Sequence, residues 1–73
     1  MPAVKVVCDV AGTVFKIEAQ AGQALDKGGT LMLLESMKME IPVEAPRAGV
    51  LREWCVAEGD TVSEGQLLAW IDA

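Results

Sequence analysis

The sequence predicts an all-β fold: a flattened eight-stranded β-barrel or sandwich of two four-stranded sheets with a pseudo-twofold internal repeat. Three observations predict it. Displaced by 37 positions against itself, the chain lays Gly12, Gly22 and Gly28 onto Gly49, Gly59 and Gly65. Apolar positions follow the same shift, with Val6 on Val43, Leu31 on Leu68 and Leu34 on Ile71. No stretch sustains the apolar stripe of an amphipathic helix, whereas short Val-, Ile- and Leu-rich runs are bounded by glycine-containing turns. A repeat that preserves both glycine intervals marks two copies of one supersecondary unit. The units cover about residues 3–36 and 40–73 of a single domain over 1–73.

Each element follows from local chemistry. "AVKVVCD" sets Val4, Val6 and Cys8 against Lys5 and Val7, the alternation of a half-buried strand. Its counterpart "EIPVEAP" sets Ile41, Val43 and Ala45 against Pro42 and Glu44. Proline cannot donate to a ladder, so this strand has its position-42 amide at a sheet edge or facing outward. "GTVFKIEA" and "GVLREWCVA" are second strands, and "QAGQALDKGG" and "CVAEGDTVSEGQ" are turn, short strand and turn. "TLMLLES" and "LLAWIDA" close the units as nearly continuous apolar strands. Trp54 and Trp70 take the repeat positions of Ile17 and Leu33 and are expected in the core. Cys8, equivalent to Ala45, is expected to be buried, and Cys55, equivalent to Glu18, more exposed. Because the shift carries Lys38 onto Met1 and Glu35 onto Asp72, the stretch around Lys38 and the chain ends are expected at opposite ends of the body.

Composition excludes several functions. A net charge of −5 is wrong for nucleic-acid binding, which draws its affinity from Lys and Arg on phosphates. The longest apolar run, Leu31–Leu34, is far too short to span a bilayer, so no membrane partner is expected. Histidine is absent, which removes the commonest general base and the commonest metal ligand together. Two isolated cysteines and scattered carboxylates have no metal-site spacing, so no metal is expected. The cysteines also lack the pattern of a disulfide framework, and "MPAVKVVCDV" has no signal-peptide character; both point to a reducing, cytoplasmic setting. A stand-alone enzyme is not expected, since no nucleophile–base pair can be assembled.

One stretch departs from this plain composition: "ESMKME", Glu35 to Glu40. Hairpin turns draw on Gly, Asn, Asp or Pro, and none is present. Two large flexible side chains, Met37 and Met39, are instead placed on a tip where they bury nothing of their own. Methionine is the residue of adaptable binding surfaces, so the tip is built to be gripped by another molecule.

Here the chain resembles a known family, the biotinyl/lipoyl attachment domains, and within it the biotin carboxyl carriers. The resemblance spans the whole chain and rests most specifically on Glu35-Ser36-Met37-Lys38-Met39-Glu40, with Gly28, Leu31 and Leu34 before it. It implies a barrel-sandwich hybrid fold, with biotin in amide linkage on Lys38. Ser36 stands where the family usually has alanine. Glu35, Ser36, Met37, Met39 and Glu40 are then recognition residues for a biotin protein ligase, a biotin carboxylase and a carboxyltransferase. The chain itself would be a non-catalytic carrier that shuttles carboxylate between the last two. An ordinary lysine, with a pKa of about 10.4, is protonated at neutral pH. With no histidine at hand, activation must come from the ligase. Some carriers insert a protruding thumb in the first unit; here the Gly12–Gly22 interval equals Gly49–Gly59, so a thumbless form is expected. The alternatives are a lipoyl carrier of a 2-oxo acid dehydrogenase complex, whose turn usually reads Asp-Lys-Ala, and an unmodified β-sandwich interaction module.

Overall fold

A computed structural model describes residues 2–73 as eight strands without a helix. They are β1 (Ala3–Val7), β2 (Gly12–Ile17), β3 (Ala24–Leu25), β4 (Thr30–Ser36), β5 (Met39–Glu44), β6 (Gly49–Trp54), β7 (Thr61–Val62) and β8 (Leu67–Asp72). Two antiparallel four-stranded sheets form the sandwich, one in the order β1-β8-β6-β3 and the other β5-β4-β2-β7. Each sheet therefore takes two strands from each repeat. The halves interleave instead of folding side by side. Among the described residues no ladder joins the two sheets into a closed barrel.

Under the 37-residue shift β2 falls on β6 and β3 on β7 without remainder. The core obeys the same operation. One buried cluster holds Leu25, Leu31, Ala45, Leu51, Ala69 and Ile71, and the other holds their equivalents Val62, Leu68, Cys8, Val14, Met32 and Leu34. Trp54 packs against both and donates its indole N–H to the Ala19 carbonyl at 2.9 Å. Leu34, near the end of β4, belongs to one cluster, and Ile71, near the end of β8, to the other. The body measures 36 × 17 × 17 Å. The β4–β5 hairpin and the end of β8 thus leave an elongated body from opposite ends. At the second of these ends Ala73 N–H donates to the Pro2 carbonyl at 3.0 Å. Met1, onto which the shift carries Lys38, lies outside the described residues.

Glycine does two different jobs. Gly22, Gly28, Gly59 and Gly65 turn the chain at positive φ between 83° and 93°. Gly12 and Gly49 lie within strands, where a Cβ would overlap the backbone carbonyl oxygens of Glu35 and Asp72 respectively. The β2–β3 and β6–β7 turns are each closed by a side chain, Gln23 accepting from Gln20 N–H and Asp60 from Ala57 N–H at 3.1 and 2.9 Å. These turns are equal in length, and no thumb is inserted.

Pro42 lies on edge strand β5, as its missing donor requires. Cys8 is buried, with its thiol donating to the Ser63 carbonyl at 2.7 Å, and Cys55 is exposed. Trp70 corrects the expectation of a core position. It stands half-buried on the outer face between Lys5 and Glu53, with the Lys5 ammonium 6.0 Å from its ring. In β8 the inward side chains are Leu68, Ala69 and Ile71, with a bulge on each neighbouring ladder, so an apolar residue at 70 faces out.

Candidate functional site

The β4–β5 hairpin is the longest pairing in the molecule, running from Thr30↔Glu44 to Ser36↔Met39. Its loop is only two residues, Met37 and Lys38. A loop that short must follow the right-handed strand twist, which calls for positive φ at both central positions and so favours Asn-Gly. Met37 and Lys38 adopt it with φ of 50° and 64°, the only non-glycine residues among those described to do so. A side chain forced into this region costs roughly 1–2 kcal/mol per residue. One pair further down, below Ser36↔Met39, Glu35 faces Glu40 across the ladder. Like charges placed opposite one another are destabilising too.

The tip therefore violates turn chemistry and cross-strand charge pairing within six residues. Met37 is 93% exposed and Met39 63%, so neither contributes to the core. Lys38 is exposed, and the sole ion pair among the described residues is Arg52–Asp72, which leaves the Lys38 amine unengaged. Ser36 is half-buried and small, at the last paired position before the loop. All six residues singled out in the sequence thus converge on one apex, held by a hairpin whose base is anchored through Leu34 and Met32 in the core. The arrangement presents one exposed primary amine at the apex, between two exposed methionines, with the Glu35–Glu40 pair two steps down the ladder. It is suited to receiving a group and carrying it.

Relief of the turn is measurable. Met37→Asn together with Lys38→Gly is expected to raise stability by about 1–2 kcal/mol, after allowing for the extra freedom glycine gives the unfolded chain. In a domain of this size that is a rise in melting temperature of roughly 4–16 °C. Calorimetry showing an unchanged or lower melting temperature would contradict the strained-turn reading.

One exposed aromatic residue was not singled out by the sequence. Phe15 stands 49% exposed on β2, where the ladder to β4 slips between Val14 and Lys16. Its repeat equivalent is Arg52, so the shift pairs an aromatic with a cation at an outward position. That mismatch was the available signal.

A family described as Biotin-requiring enzyme, the biotin and lipoyl attachment group, matches residues 1–71. A biotin/lipoyl attachment protein of Bacillus subtilis is 46% identical over 59 residues, covering 81% of each chain. A biotinylated protein homologue of Mycobacterium leprae is 41% identical over 63 residues, covering 86% of this chain and 89% of that one. Among solved structures, the urea carboxylase of Kluyveromyces lactis superposes with a TM-score of 0.93 at 28% identity, over 99% of this chain and 6% of that one.

Proposed function

The chain belongs to the biotin/lipoyl attachment family, and from that premise we propose that it is a biotin carrier whose attachment residue is Lys38. The observation that carries the reading is the apex itself: a lysine between two exposed methionines, in a two-residue loop that holds both central residues at positive φ. Met37-Lys38-Met39 favours biotin over lipoate, whose carriers usually show Asp-Lys-Ala at this turn.

The residues present fit such a group. Lys38 Nζ supplies the amine for an amide bond, and nothing in the described structure has to be displaced to reach it. A protonated amine cannot attack an acyl carbon, and the chain offers no histidine to accept the proton. A biotin protein ligase has to remove it, with Met37 and Met39 as its apolar grip and Glu35, Ser36 and Glu40 fixing register. When attached, biotin supplies a ring nitrogen that carries carboxylate between a biotin carboxylase and a carboxyltransferase.

Geometry then sets what the chain contributes. The lysine stem and the cofactor's side chain extend on the order of 10–15 Å from the backbone, counting single bonds. The stiff, core-anchored hairpin adds reach without adding freedom. Tethering makes the second encounter intramolecular, at an effective concentration of about millimolar for a suitable linker. The chemistry belongs to the partner enzymes.

Intact-mass spectrometry of the protein isolated from cells with their own ligases tests the assignment. One added biotin, mapped to Lys38 by peptide fragmentation, is the expected result. An added lipoate moves the chain to the other branch of its family, and an unmodified lysine beside an active ligase overturns the carrier reading.

A further inference from the structure

The two ends of the repeat share their strand pairing and bulge, and among the residues that differ one pair of positions decides whether a carboxylate is closed off. In β6 a bulge between Leu51 and Glu53 turns Arg52 outward, and its guanidinium pairs with Asp72 of β8. The hydrogen bond from Arg52 holds the Asp72 carboxyl below the usual carboxylate range, and Asp72 in turn raises Arg52. β2 has the same bulge, between Val14 and Lys16. The residue there is Phe15, and the repeat equivalent of Asp72 is Glu35. A phenyl ring cannot donate to a carboxylate. Asp72 is half-buried under its partner, whereas Glu35 is exposed and has no ion-pair partner among the described residues.

We propose that Phe15 and Glu35 form the docking face for the enzyme that acylates Lys38, which presents a cation to Glu35 and an apolar side chain to Phe15. The inference rests on the reading of Lys38 as the attachment residue. Charge complementarity identifies the occupant, because the chain itself shows what a carboxylate at this register binds: a guanidinium projecting from the adjacent bulge. Phe15 leaves that place open and adds apolar surface next to it. Of the five large hydrophobic residues exposed among those described, Met37 and Met39 lie at the tip, and Phe15 lies on the neighbouring strand level with Leu33 and Leu34. Bulges commonly re-aim a side chain beside a functional site, and here the re-aimed side chain is left 49% exposed.

Reach is sufficient. Glu35 lies three residues from Lys38, and Phe15, level with Leu33 and Leu34, lies four to five residue rises from it, about 15 Å along the hairpin. An interface of ordinary size, about 800 Å² per partner, covers a disc roughly 30 Å across and takes in both. The ion pair at the other end has the converse effect. Arg52 closes Asp72, so an enzyme that reads this backbone geometry finds only one end with an open carboxylate and an exposed ring.

The test is to exchange the two ends. Phe15→Arg installs beside Glu35 the cation that Arg52 places beside Asp72. With biotin protein ligase, biotin and ATP, it is expected to raise KM for the carrier about tenfold with kcat little changed, while the melting temperature stays level or rises. Phe15→Leu, which keeps an apolar group, is expected to recover most of the rate, and Arg52→Ala is expected to leave ligation at the wild-type rate. Wild-type kcat/KM in Phe15→Arg overturns the proposal, as does an equal loss in Arg52→Ala. A wild-type chain that takes no label at Lys38 overturns the carrier reading instead, so the two failures are distinguishable.

Discussion

The Lys38→Arg variant is expected to take up no biotin from a ligase supplied with biotin and ATP, and to melt where the wild type melts. Arginine keeps the charge and the long stem but presents a guanidinium in place of an attackable primary amine. The fold does not depend on the lysine side chain, which is exposed and unpaired at the apex of the hairpin. Exposed substitutions away from special features shift stability by about 0.5 kcal/mol or less. The backbone at 38 is such a feature, but arginine sits at positive φ no better and no worse than lysine. The other lysines provide an internal control. Lys5 lies over the Trp70 ring, Lys16 is paired into β2 opposite Leu33, and Lys27 lies in the turn before Gly28. None stands at the apex of a two-residue loop. Intact mass and a streptavidin blot read the incorporation, and a thermal melt reads the fold. Label persisting at Lys5, Lys16 or Lys27 would sink the assignment of Lys38.

Much of this architecture was legible because glycine and apolar spacing survive in both repeats. The shift that aligns Gly12 with Gly49 also carries all six buried residues of one core cluster onto members of the other, and β3 and β7 appear where the glycine intervals put them. Strand order was not legible. Period-2 alternation says which face a residue takes but not which strand lies alongside, and the pairing of β1 with β8 spans nearly the whole chain. Trp70 was misplaced for a related reason: in a nearly continuous apolar strand the outward members, Leu33 and Trp70, look like the inward ones. The turn type was hidden as well. With no glycine or asparagine at 37 or 38, composition argued against the positive φ that both residues adopt. The same absence marked the tip as unusual, since a sequence breaks local rules where function requires it.

The second large effect concerns the glycines that let the hairpin and its counterpart leave the body. Gly12→Ala and Gly49→Ala are each expected to destabilise the fold by about 1–3 kcal/mol, the usual range for forcing atoms into a filled space. At Gly12 the added carbon overlaps the Glu35 carbonyl oxygen and comes within 3.2 Å of Leu34 Cγ. At Gly49 it overlaps the Asp72 carbonyl oxygen and comes within 2.8 Å of Ile71 Cγ2, so the cost there is equal or greater. Backbone, not a flexible side-chain end, must move in both cases. A small domain has only a few kcal/mol of net stability, so melting temperatures fall by roughly 4–8 °C per kcal/mol lost. The two changes then part company. Displacing the Glu35 carbonyl shifts the base of the hairpin that presents Lys38, whereas displacing the Asp72 carbonyl disturbs the opposite end. Biotinylation measured at low temperature, where both variants are folded, is expected to slow for Gly12→Ala and to proceed normally for Gly49→Ala. Equal slowing would mean that the ligase senses overall stability and not the geometry of one end. Undiminished stability in both would mean that the close strand approach at these glycines is relieved without cost, and that the repeat does not fix where the lysine points.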